Sequence, residues 1–148
     1  MDPLSITAGI LAVLGATKGA TQCLRTIKNI HNAPLEVTTL TDELDRISAL
    51  LDEILRLLEI VPEDERFQYS SILTKYILSA SRLMDDMVLL LRSPSLHRLR
   101  LSDENAKRAA WFRNKGKIKT LSTELKSVRL DLCLALHTLT AYDDPNRR

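Results

Sequence analysis

Few residues in this 148-residue chain could catalyse a reaction or ligate a metal. The histidines are His31, His97 and His137, and the cysteines are Cys23 and Cys133. None of the histidines has a Cys, Asp or Glu at ligand spacing on a shared helical face, and two distant cysteines give neither a zinc pattern nor a disulfide framework. Reduced, buried thiols in an intracellular protein are the expectation. No glycine-rich phosphate loop, nucleophile elbow or His-Glu-x-x-His pair occurs. Asp42, Asp45, Asp52 and the Asp85-Asp86 pair lie among positions that face solvent, where paired acid–base catalysis has no geometry to use. The expectation is a non-enzyme with no catalytic residue, no metal ligand and no cofactor.

Charge is the second source of chemistry. The net charge is +2, but residues 36–65 hold ten acids against Arg46 and Arg56, a local balance of −8. Residues 92–119 hold nine Lys or Arg against Asp103 and Glu104, a local balance of +7. Within the basic run, Lys107, Arg108, Arg113, Lys115, Lys117 and Lys119 surround Trp111 and Phe112. Such a cluster suits anionic lipid headgroups, each basic residue near the surface contributing about 1 kcal/mol. It also suits a solvated helix start with Trp111 as a core cap, or attraction between the two charged segments. Nucleic acid is not favoured, because no recognised module fits.

The third source is a pattern of small residues near the N-terminus. Ala8, Ala12, Ala16 and Ala20 recur at every fourth position, with Gly9, Gly15 and Gly19 beside them. Gly15-x-x-x-Gly19 and the alanine ladder have the small-xxx-small geometry that lets helix backbones approach closely in lipid. The same residues would also serve close packing within a core. Residues 3–17 carry no charge, but Lys18 ends the run short of the roughly 20 residues a bilayer span needs. The N-terminus lacks the basic region of a secretory signal.

These residues must be positioned by helices. Aromatics make up 4% of the chain, and there are four glycines and five prolines, so a Leu, Ile and Val core of long helices is expected. Asp2 and Pro3 suit a helix start, with the inward series at Ile6, Ile10, Val13 or Leu14, Thr17, Leu24 and Ile27. Asn32-Ala33-Pro34 breaks the pattern. Leu40, Leu44, Ile47, Leu51, Ile54, Leu58 and Val61 then alternate four and three apart, the face a bundle helix buries, until Pro62. A third seam is Tyr69, Leu73, Tyr76, Ala80, Leu83, Met87 and Leu90. A fourth is Ile118, Leu121, Leu125, Val128, Leu132, Leu136 and Leu139. The spacing predicts helices over about 3–30, 35–61, 64–92 and 103–141, the last kinked or split near Gly116. The fold class is an all-α, antiparallel four-helix bundle spanning 1–142, followed by a polar tail or linker over 143–148.

The opening Met1-Asp2-Pro3-Leu4-Ser5-Ile6-Thr7-Ala8-Gly9-Ile10 resembles the N-terminus of many fungal NOD-like (NACHT/STAND) receptors. Trp111, Lys117-Ile118, Leu121, Leu125, Val128 and Leu132 look like the last helix of the same family. The resemblance implies a HeLo-like domain, related to the four-helix executioner domain of the mixed-lineage kinase-like pseudokinase. In that family the bundle oligomerises on a signal, and its N-terminal helix then targets and permeabilises the membrane, as in programmed cell death, heterokaryon incompatibility and innate immunity. Carried over, the membrane-active helix would hold Leu4, Ile6, Gly9, Ile10, Val13, Leu14, Gly15, Gly19 and Leu24. Lys107, Arg108, Arg113, Lys115, Lys117 and Lys119 would contact anionic lipid. Gly9 is out of phase with Gly15 and Gly19, so the regular glycine zipper of that family is not reproduced.

The expected partners are therefore anionic membrane lipids on activation, further copies of the chain, and an upstream receptor or amyloid-type signalling module. The expected location is cytoplasmic at rest and the plasma membrane when activated. The alternative is an adaptor bundle that mediates protein–protein association without membrane activity.

Overall fold

The computed structural model describes residues 3–28, 35–92 and 104–142. Within these, the side chains of 3–5, 26–28, 63–68, 104–111 and 142 lie outside the description. The stretch 93–103 between the third and fourth helices and the tail expected over 143–148 fall outside it too. Four helices account for almost all of the described chain: α1 (Pro3–Lys28), α2 (Leu35–Ile60), α3 (Glu63–Leu91) and α4 (Glu104–Tyr142). The all-α four-helix bundle is the fold.

Each helix follows from its apolar spacing. In α2 all seven residues of the heptad seam are buried, from Leu40 to Val61, since their regular spacing leaves one face to cover. Pro62 ends α2 and sits at the N-cap of α3 without a side-chain cap bond. In α3 the seam is turned slightly from the expected one. Leu73, Ala80, Leu83 and Met87 are buried where the spacing put them, joined by Ile77, Met84 and Leu91, whereas Tyr69, Tyr76 and Leu90 lie half-buried at the edge. The two tyrosines present an apolar ring and a polar tip, and a boundary position accommodates both.

In α1, Val13 and Leu14 are both buried, together with Ile6, Ile10, Ala20 and Leu24. Thr17 and Thr21 are buried among them. Their hydroxyls donate to the carbonyls of Val13 (2.7 Å) and Thr17 (2.9 Å), so both buried hydroxyls are satisfied within the helix. The fourth helix is neither split nor interrupted at Gly116. It runs unbroken for 39 residues, with the Thr120 hydroxyl donating to the Gly116 carbonyl (3.0 Å). One Gly costs a helix about 1 kcal/mol relative to Ala, which the burial of Ile118, Leu121 and Leu125 around it outweighs.

The helices alternate in direction, as their connections require, but chain neighbours are not always bundle neighbours. α1 packs against α2 and α3, and α4 packs against the same two, so α1 and α4 stand on one diagonal. α2 and α3, joined only through Val61 and Pro62, stand on the other. α2 and α4 run parallel, with Glu36 and Leu40 level with Lys115 and Ile118. The N-terminal turns of α4 therefore extend past the start of α2.

One polar contact ties the parallel pair together. Glu43, at a buried position of α2, accepts a hydrogen bond from Arg129 Nε of α4 (2.7 Å). Arg46 stands 3.7 Å from the same carboxylate. Replacing Arg129 by Ala strands that carboxylate in the interior, with Arg46 only partly compensating, and is expected to cost about 2–3 kcal/mol. The double change Glu43→Leu with Arg129→Met should recover most of the loss. Urea denaturation of the three proteins checks both expectations, and a double variant as unstable as Arg129→Ala would refute the second.

Candidate functional site

The sequence singles out two surfaces, one on α1 and one on α4, and the bundle treats their residues differently. On α1, Ile6, Ile10, Val13, Leu14 and Leu24 form the inward face and belong to the hydrophobic core. They hold the bundle together, so any membrane contact through them requires α1 to leave its place. The Leu4 side chain lies outside the description.

The outward face of α1 is built of small residues. Ala8, Ala12 and Gly15 are exposed and Gly19 is half-buried, with Leu11 (56% exposed) beside them. The three glycines of α1 differ. A Cβ placed on Gly9 would come within 3.1 Å of the Ile77 Cγ2 of α3, so Gly9 serves the close approach of α1 and α3. A Cβ on Gly15 or Gly19 would meet nothing within 4 Å. Close packing inside the bundle thus explains Gly9 but not the other two.

On α4, helical geometry divides the basic run. At about 100° per residue, Lys115, Lys119 and Lys126 fall on one flank, Arg113 and Lys117 on the other, and Phe112 on the outer face. Phe112 is 74% exposed, and Arg113, Lys115, Lys117 and Lys119 are all exposed. The side chains of Lys107, Arg108 and Trp111 lie outside the description. Lys117 faces a groove of about 570 Å³ between α3 and α4, where Asp86 and Glu124 balance it. Lys115, Lys119 and Lys126 line a second groove of about 340 Å³ between α2 and α4, where the acid is Glu36. Lys126 lies outside the contiguous basic run, and only helical periodicity brings it to Lys115 and Lys119.

Among the described residues, the ion pair joining α2 to α4 is Glu43–Arg129, and Arg129 lies outside the basic run. Other described ion pairs join Arg25 to Asp45 (3.6 Å) and Arg56 to Glu53 within α2. The Arg56 hydrogen bond holds the exposed Glu53 carboxyl below its ordinary value, a surface effect of no wider consequence.

Among the described residues, no group of three or more His, Cys, Asp or Glu could hold a metal ion. His137 is exposed, and Cys23 and Cys133 are free thiols that stand half-buried and not fully buried as expected; His31 and His97 lie outside the described residues. No described helix is long and apolar enough to cross a membrane. No protein-family model matches the chain, and no curated protein and no solved structure is significantly similar to it.

The two open glycines lead to a stability expectation. Gly15→Ala and Gly19→Ala should each stabilise the bundle by about 0.5–1 kcal/mol, because Ala restricts the unfolded chain and meets no neighbour. Gly9→Ala should gain less or lose stability, since Ile77 has to shift. Thermal melts followed by circular dichroism separate these cases, and a loss of stability at Gly15 would show that its exposed surface is covered in solution.

Proposed function

We propose that this chain is a HeLo-like signalling bundle that self-associates on activation and targets or permeabilises membranes through α1. The observation that carries the reading is the outward face of α1. Ala8, Ala12, Gly15 and Gly19 present a smooth helical strip toward solvent, and the bundle uses neither Gly15 nor Gly19 in its packing. Each glycine weakens an isolated helix, so their presence has a cost that close approach to another helix would offset. The uncharged stretch 3–17 and the exposed basic residues of α4 support the same reading, together with the N-terminal resemblance. A single α1 is too short in apolar length to span a bilayer, so the action requires several copies or an interfacial position.

The adaptor alternative is favoured by a separate feature. Leu130 (57% exposed) and Leu134 (61% exposed) lie one turn apart on the outer side of α4, an apolar pair suited to a partner helix.

Dye release from liposomes decides between them. The comparison is the native chain against Gly15→Leu/Gly19→Leu, which alters open positions and keeps the core residues of α1. A fused dimerising tag supplies the oligomerising signal. The membrane reading expects leakage that requires anionic lipid and falls about tenfold or more in the leucine variant, whose bulk blocks close helix approach. Undiminished leakage in that variant would remove the role given to the glycines, and absence of leakage from the tagged native chain would favour the adaptor.

A further inference from the structure

The groove between α2 and α4 has a composition that folding does not explain. Lys115, Lys119, Ser122 and Lys126 occupy positions i, i+4, i+7 and i+11 of α4, so they form one stripe along the groove. Among the described residues none of the three ammonium groups makes an ion pair, although Glu36 lines the same groove from the first turn of α2. Like charges at i and i+4 oppose helix formation by a few tenths of a kcal/mol, so Lys115 and Lys119 weaken the helix that carries them. Ser122 is half-buried between Lys119 and Lys126, and no hydrogen bond of its hydroxyl is made within the described residues. Leu40 and Ile118 are buried at the base, giving the groove an apolar floor of low polarity beneath the amines.

Three unpaired ammonium groups, one available hydroxyl donor and a concave surface of about 340 Å³ are the features of an anion site. Counting Lys115, Lys119 and Lys126 against Glu36, the groove carries a charge of +2. A monoanion leaves part of that charge uncompensated. The stripe from Lys115 to Lys126 runs along about 16 Å of helix, so its amines span more than one phosphate group.

We propose that this groove binds a compact polyanion bearing two or more phosphate groups, either free or as a lipid headgroup, through Lys115, Lys119, Lys126 and the Ser122 hydroxyl. The lysines supply charge along the stripe, and Ser122 donates to a phosphate oxygen between them. Glu36 opposes binding and sets the minimum charge of the ligand. In its lipid form the inference rests on the membrane reading above, whereas in its free form it does not.

The test titrates the full chain with inorganic tripolyphosphate at about 0.15 M salt by calorimetry, where charges on other faces are largely screened. The Lys119→Glu/Lys126→Glu protein is expected to lose about tenfold or more in affinity. The Lys75→Glu/Arg82→Glu protein carries the same change in net charge on α3, away from the groove, and it should stay within about twofold of the native chain. Glu36→Gln should bind about threefold tighter, since it removes a repulsive charge from the groove wall. Circular dichroism confirms that each variant is folded.

In parallel, each protein is sedimented with phosphatidylcholine vesicles containing either phosphatidylinositol bisphosphate or phosphatidylserine at equal total charge. A preference for the bisphosphate vesicles that is lost in Lys119→Glu/Lys126→Glu and competed by tripolyphosphate supports a headgroup as the ligand. Tripolyphosphate binding with no vesicle recruitment supports a free phosphate ligand and counts against the membrane reading alone. Equal losses in the two charge-reversed pairs, or vesicle recruitment indifferent to Lys119 and Lys126, would overturn the groove. So would an acidic peptide held by these lysines when tripolyphosphate is not.

Discussion

A carboxylate buried between two parallel helices sets the arrangement on which the rest of this bundle depends. Seams of Leu, Ile and Val are tolerant of sliding, because a shift of one turn replaces one aliphatic contact with another. Glu43 is not tolerant: away from Arg129 it would be an uncompensated charge in an apolar interior. The 2.7 Å contact therefore favours one register of α2 against α4 more through the cost of the alternatives than through its own net energy. That register brings the first turn of α2 level with Lys115 and Ile118, and so it also shapes the lysine-lined groove.

The first helix is held by different means. α1 joins the bundle through aliphatic contacts and through threonines that satisfy their hydroxyls within the helix. Its described ion pair to a neighbour, Arg25–Asp45, is largely exposed and worth little. Of its three glycines, one allows a close contact and two lower helix propensity without a packing return. α1 thus combines a well-buried face with weak intrinsic helicity. Among the described contacts its place depends mostly on burial, whereas α4 has burial and a buried charge contact.

How much of this could be read from the sequence follows from where the apolar periodicity is unambiguous. The α2 seam was legible because Leu40 to Val61 alternate four and three apart with polar residues between them. The α3 seam was read slightly out of phase, because two apolar stripes compete there and the tyrosines suit the boundary between them. Gly116 resembles a break only when its neighbours' burial is ignored. Glu43 was not legible at all: a Glu within an acidic segment has nothing local to mark it as buried, and its partner lies 86 residues away. The basic cluster was visible as a contiguous run, but the groove is a helical stripe. Lys126 belongs to it, while Arg113 and Lys117 turn to the other flank.

The placement of the two surfaces limits how the proposed function could operate. α1 and α4 stand on one diagonal, so the small-residue face of α1 and the groove between α2 and α4 point in different directions. A flat membrane cannot engage both while the bundle is closed. On the proposed reading the groove therefore acts first, since its lysines are already exposed and its electrostatic attraction needs no rearrangement. Insertion of α1 comes afterwards and has to replace the burial of Ile6, Ile10, Val13, Leu14 and Leu24. Lipid or neighbouring copies of α1 are apolar surroundings that can do so, whereas water is not. Docking and insertion are then successive events, and the weak helicity of α1 lowers the barrier between them without loosening the α2–α4 pair that holds the groove.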